Sequence, residues 1–276
     1  MSIGTIWMVL AGCGVAEPEP VEGLGEYTLV WSDEFDGSAG AAIDPDKWVH
    51  DVGGDGWGNE QLEYNTDRTD NVRQSGDGSL EIVALKEDYE GNAYTSGRIT
   101  TEGLFDHTYG RFEARIKLPE GQGLWPAFWM LGADFAEVSW PACGEIDVME
   151  LRGEKPYVSL GTVHGPGYSG GEGIGDDYTL AEGTFADDFH VFAVDFDPEH
   201  IVWSVDGVAF QTLTPGDLPE GTGWVFNKPF FMILNLAVGG VFLEEPDEDT
   251  VFPAVMEVDY VRVYERSVPL TEDTVE

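Results

Sequence analysis

Residues 111–118 alternate strictly: Phe112, Ala114, Ile116 and Leu118 are apolar, and the four residues between them are charged. A strand sends successive side chains to opposite faces, so this is a strand with one dry face and one wet face. Residues 255–264 repeat the pattern. Runs rich in β-branched and aromatic residues recur at 27–31, 79–85, 97–101, 127–131, 157–164, 190–196, 201–205 and 230–236, separated by Gly, Asp, Asn and Pro. No apolar pattern of period 3.6 lasts a dozen residues. So many strands without intervening helices predict an all-β fold of two antiparallel sheets packed face to face. The 36 Gly and 15 Pro suit the tight turns this needs. The pattern runs unbroken over residues 26–266, which predicts one domain.

The ends read differently. Residues 1–16 hold a short apolar run, too short to span a membrane as a helix, that resembles the core of an export signal. Within it Leu10-Ala11-Gly12-Cys13 resembles a bacterial lipobox, which predicts a lipid anchor through Cys13 and a secreted or cell-envelope location. An ordinary secretory signal is the alternative. Polar, Pro-rich residues follow, so 1–25 is expected to be signal plus tether. Residues 267–276 form an acidic tail. The two cysteines, Cys13 and Cys143, sit in contexts that suggest different fates, so no disulfide is expected.

Thirteen Lys+Arg stand against 53 Asp+Glu, a formal net charge of −40. Nucleic acid and other polyanions are repelled at long range, which favours a neutral or cationic partner. The surface is also of the kind that salt screening would relieve.

Three acids stand in Gly144-Glu145-Ile146-Asp147-Val148-Met149-Glu150, whose apolar positions mark a strand. Asp and Glu are depleted from strands, so these need a reason. Glu145 and Asp147 share a face; Glu150, five positions from Glu145, would point the other way. One bulged residue near Val148 or Met149 restores it. Five strand steps span roughly 16 Å, shortened by a bulge to ~13 Å, and two Glu side chains leaning inward bring their carboxylates to roughly 5–6 Å. That approaches the ~5–5.5 Å of retaining glycosidases rather than the ~6.5–9.5 Å of inverting ones. Asp147 between them can adjust their titration.

The wider run Trp140-Pro141-Ala142-Cys143-Gly144-Glu145-Ile146-Asp147-Val148-Met149-Glu150 resembles the signature of glycoside hydrolase family 16, in its laminarinase (endo-β-1,3-glucanase) branch. The likeness spans residues 27–264 and includes Leu29–Gly37, Tyr94–Ile99, Tyr109–Arg115, Gly123–Leu131 and Asp259–Tyr264 in order. It implies a β-jelly-roll sandwich with a concave substrate cleft, and a retaining hydrolase of neutral β-glucan that needs no cofactor for catalysis. It implies Glu145 as nucleophile, Asp147 as its helper and Glu150 as general acid/base, with Cys143 a buried thiol outside the chemistry. Trp125, Trp129 and Trp140 are expected to stack on sugars, and Asn59, Arg98, His164 and Asn235 to face their hydroxyls. Glu34, the Gly78 carbonyl and Asp259 match a structural Ca²⁺ site of many members. A monomer is expected.

Two departures stand out. Trp57-Gly58-Asn59-Glu60-Gln61-Leu62-Glu63 shifts the Glu of a G-N-x-E-L-Q pattern by one, so Asn59 fits and Glu60 does not. Val241-Phe242-Leu243-Glu244-Glu245 stands where the branch commonly has Trp and small residues, which predicts a weaker stacking platform. Mixed-linkage glucan or agarose is the alternative substrate. A transglycosylase shares the covalent intermediate. A non-catalytic glucan-binding protein is disfavoured because such proteins typically lose the acids kept here.

Overall fold

The computed structural model describes residues 27–267. Alternation becomes two antiparallel sheets. In the eight-stranded sheet the order is Val208–Leu213, Ile201–Val205, His190–Phe196, Gly110–Lys117, Ala254–Arg266, Leu80–Ala84 and Val72–Gln74, with Tyr27–Asp33 also on Ala254–Arg266. In the seven-stranded sheet it is Ile174–Thr179, Val158–His164, Glu145–Leu151, Leu124–Gly132, Phe230–Val238, Arg98–Thr100 and Val49–His50. Among the described residues the only α-helix is the four-residue turn Phe135–Val138. The expected sandwich is therefore present.

The core lies between the sheets. Phe112, Ala114 and Ile116 from one meet Phe128, Met130, Met232 and Leu234 from the other, all fully buried. Each large apolar side chain so placed stabilises the fold by about 1.5–3 kcal/mol.

The opposite face of Gly110–Lys117 departs from expectation. Arg111 and Glu113 were expected on a wet face and are buried. The reason lies in the register. Asp195 and Tyr264 oppose Arg111 on the two flanking strands. Arg111 donates to Glu113 and to Asp195, each at 2.6 Å, and Tyr27 Oη donates to Asp195 at 2.6 Å. Charges on adjacent strands satisfy one another beneath tyrosine rings.

A small parallel pair, Glu63–Asn65 with Tyr94–Ser96, closes one end of the seven-stranded sheet. The fully buried Glu63 accepts the Val238 backbone N–H at 2.8 Å, and Ser96 Oγ donates to the Leu236 carbonyl at 2.6 Å. Burial pushes the Glu63 carboxyl up to about 7 against its backbone hydrogen bonds.

Candidate active site

The strand Glu145–Leu151 lies between Leu124–Gly132 and Val158–His164, in the interior of its sheet. Its register slips. Asp147 opposes Trp129 but Met149 already opposes Phe128; on the other side Asp147 opposes Thr162 and Glu150 opposes Leu160. The strand thus carries one residue more than either neighbour. Val148 and Met149 both turn into the core. Glu150 is returned to the face of Glu145 and Asp147, as the sequence required.

Each acid has a named partner. Trp140 Nε1 donates to Glu145 Oε2, and Trp125 Nε1 donates to Glu150 Oε1 at 2.8 Å. His164 Nε2 stands 3.2 Å from Asp147 Oδ2. Asp147 also hydrogen-bonds Glu145. A carboxylate oxygen of each of these two acids and a ring nitrogen of His164 lie within 4.8 Å of one another. Burial, then the neighbouring Asp147 charge, holds Glu145 well above the usual carboxylate range. Burial, then Glu150, does the same to Asp147. Burial raises Glu150, opposed by the Trp125 hydrogen bond and by His164 and Arg152. Three carboxyls this close, Asp147 buried and Glu145 and Glu150 half-buried, titrate as a set and keep protons that free carboxyls would lose. An acid able to donate a proton beside a carboxylate able to attack is what glycoside cleavage needs.

The acids line a groove of about 1070 Å³ on the outer face of the seven-stranded sheet. Most small-molecule sites fall at ~300–1,000 Å³, so this one suits a ligand of several units. All seven expected substrate-binding residues line it: Asn59, Arg98, Trp125, Trp129, Trp140, His164 and Asn235. Their contacts sort them. The Arg98 guanidinium lies between the rings of Trp57 and Trp129, 4.7 and 4.8 Å from their centroids, and pairs with Asp51 at 2.8 Å. Trp129 Nε1 donates to Asn235 Oδ1 at 2.7 Å. Trp140 is 44% exposed and offers a ring face beside Glu145. Trp125 is only 8% exposed; its ring packs on Phe242 at 4.8 Å. Its position is that of a residue orienting Glu150 more than of an open stacking plate.

Residues 59–261 match glycosyl hydrolases family 16. The chain belongs to this family. It is 44% identical over 264 residues to a β-glucanase of Rhodothermus marinus, covering 93% of this chain and 91% of that one. Among solved structures, the endo-β-1,3-glucanase of Pyrococcus furiosus superposes with a TM-score of 0.85 at 47% identity, covering 91% of this chain and 98% of that one. The laminarinase catalytic domain of Thermotoga maritima does so with a TM-score of 0.83 at 47% identity, covering 88% and 100%.

For this family 16 chain the groove residues that the sequence missed include Asp51, Phe242 and Arg152. Asp51 lies just past a two-residue strand, and only its pairing with Arg98 reveals it. Phe242 lay in the stretch expected to be a weaker platform, yet it forms an aromatic surface with Trp125, and the Arg152 guanidinium lies over it at 4.1 Å. Arg152 follows Glu150 by two positions and so shares its face, a signal that strand alternation carried.

The expected calcium ligands converge only in part. The register brings Asp33 beside Val261 and Leu80 beside Val258, so the segments of Glu34 and Gly78 both approach Asp259. The carboxylates are engaged elsewhere. Glu34 takes two hydrogen bonds from Arg262, at 3.0 and 2.7 Å, and Asp259 takes one from Arg115 at 2.7 Å. Calcium takes six to eight oxygens. Two carboxylates already neutralised by guanidinium groups and one carbonyl do not fit it as they stand. Residues 1–26 and 268–276, with the predicted anchor Cys13, lie outside the described residues.

Proposed function

We propose that the chain hydrolyses β-1,3-glucan internally and with retention, by double displacement. The observation that carries this reading is the bulge, which puts Glu145, Asp147 and Glu150 on one face at the floor of an open groove. In the first step Glu150 gives its proton to the glycosidic oxygen while the Glu145 carboxylate attacks the anomeric carbon. The bond to the leaving sugar breaks and a glycosyl ester forms on Glu145. In the second step Glu150, now a carboxylate, takes a proton from water, which attacks the same carbon and frees Glu145. Trp140 donates to the Glu145 carboxyl and favours its ionised form, and Asp147 accepts a hydrogen bond from Glu145 and so is placed to take the proton that Glu145 gives up before attack.

The substrate class follows from charge and from likeness. Carboxylates outnumber cationic side chains along the groove, which suits a neutral polysaccharide. The β-1,3-glucanases above share nearly half their residues with this chain over most of its length. Product analysis on laminarin, lichenan and agarose tests the proposal, with Glu145→Gln and Glu150→Gln alongside. Cleavage of laminarin to short oligosaccharides, lost in both variants, is the expected result. Activity surviving in both variants sinks the site assignment, and cleavage of agarose alone overturns the substrate.

Export and lipidation of Cys13 belong to the same proposal and rest on the residue pattern Leu10–Cys13. Metabolic labelling with a fatty-acid analogue, lost in Cys13→Ser, tests them. Structural calcium is a further proposal, supported only by the convergence of the three backbone segments, and it requires Arg262 and Arg115 to release Glu34 and Asp259. A melting temperature lowered by chelator at unchanged kcat is its test.

A further inference from the structure

The bulge that sets the acids on one face has a partner in the opposite sheet. Trp203 belongs to Ile201–Val205 of the eight-stranded sheet and is fully buried. Its Nε1–H crosses the core and donates to the Asp147 carbonyl oxygen at 2.8 Å. Asp147 is the last residue in register before the slip. A bulge interrupts the ladder, and a buried carbonyl left without a donor is costly. A buried indole N–H likewise needs an acceptor. Each group satisfies the other. Trp203 itself stands at a register shift, between Trp203 and Ser204 against Val208–Leu213, so two irregular strands face each other here.

Gly161 completes the arrangement. It lies on Val158–His164 between Thr162, opposite Asp147, and Leu160, opposite Glu150, and so faces the bulged residues. A Cβ there would meet Trp203 Cδ1 at 2.4 Å and Nε1 at 2.7 Å. The missing side chain leaves the space through which the indole reaches the carbonyl.

We propose that Trp203 is a positioning residue for catalysis: by holding the Asp147 carbonyl it pins the bulge, and so the placement of Glu150 relative to Glu145. The inference rests on these two acids being the reacting pair. Without the indole N–H the extra residue can shift along the strand, and Glu150 loses its aim at the glycosidic oxygen. Trp203→Phe keeps an aromatic ring in the core and removes the donor. Gly161→Ala keeps the donor and displaces it.

The test measures kcat and KM of both variants on laminarin and on a 2,4-dinitrophenyl β-glycoside of a 1,3-linked glucobiose, whose leaving group departs without a proton. Val263→Ala, a buried site in the same sheet on a strand not paired with the catalytic one, serves as control for general destabilisation. Both variants are expected to lose about ten- to a hundredfold in kcat on laminarin. KM on laminarin should stay within about twofold, the loss in kcat/KM should be much smaller on the dinitrophenyl substrate, whose glycosylation step needs no proton from Glu150, and the control should keep its kcat. Retained kcat on laminarin in the folded variants, equal loss of kcat/KM on both substrates, or the same loss in the control overturns the proposal. If Trp203→Phe does not fold, Trp203 replaced by benzothienylalanine, which exchanges the N–H for sulfur in a ring of the same shape, is read by the same criteria. Glu145→Gln and Glu150→Gln run in parallel, and activity in them marks failure of the underlying assignment rather than of this one.

Discussion

Trp125 donates its indole N–H to Oε1 of Glu150 at 2.8 Å from the strand directly beside it. The bond favours the ionised carboxylate and opposes the rise caused by burial. Trp125→Phe removes it, so Glu150 holds its proton to higher pH. The alkaline limb of the kcat profile should move up by about one unit, taking roughly 1.5 kcal/mol for a hydrogen bond to a charged group. A limb that stays put or moves down contradicts the assignment of Glu150 as the proton donor.

Arg98 makes a different kind of contribution. Its guanidinium lies against the rings of both Trp57 and Trp129 and is paired with Asp51. Lysine keeps the charge and loses the planar stack. Arg98→Lys is expected to raise KM for laminarin by about five- to tenfold, for a loss on the order of 1 kcal/mol, while kcat changes little. Steady-state kinetics decide it; a fall confined to kcat would place Arg98 in the chemistry instead.

Glu63 ties folding to pH. Its folded-state value of about 7 lies above the ordinary 4.5 because burial disfavours the charge. Between these two values the folded chain holds a proton that the unfolded chain has released. Stability therefore falls as pH rises through that window, by up to about 3 kcal/mol, and stays low above it. Glu63→Gln removes this slope. Thermal melts should show the variant gaining on the parent from pH 5 to pH 8; a constant difference across that range refutes the role.

Cys143 adjoins the catalytic strand and is fully buried, and burial pushes its thiol up to about 11, helped by the nearby Glu145. Iodoacetamide at pH 8 should leave Cys143 of the native protein unlabelled, as peptide mapping would show, and Cys143→Ala should keep kcat within about twofold. Rapid labelling with loss of activity would give the thiol a role it is not assigned here.

How much of this was legible from residue order depended on where the information lay. His190–Phe196 and Ile201–Val205 match the expected strands residue for residue, because their apolar faces are long enough to show a period. Ile174–Thr179 passed unseen: Gly-Asp-Asp at its centre gives no apolar face, since it is an edge strand largely open to water. The short strands Val49–His50 and Glu63–Asn65 owe their pairing to neighbours far along the chain. The bulge could be inferred, because only it reconciles the five-residue spacing of Glu145 and Glu150 with one face. The contact that holds it could not. Trp203 lies 56 positions from Asp147, and nothing in its own strand points there. The buried charges of Arg111 and Glu113 were misread for the same reason, as Asp195 and the covering tyrosines come from other strands.

The slipped strand also says what the chemistry is indifferent to. Removing Val148 would leave Glu-Ile-Asp-Met-Glu, in which the three acids alternate onto one side with no irregularity at all. The face an acid occupies depends on parity, and an odd spacing made good by an odd insertion is equivalent to an even spacing with none. What the longer form adds is a second side chain delivered to the interior beneath the acids, since Val148 and Met149 both point inward. Strand length at the heart of the groove is thus free to vary by a residue, provided the underlying layer changes with it.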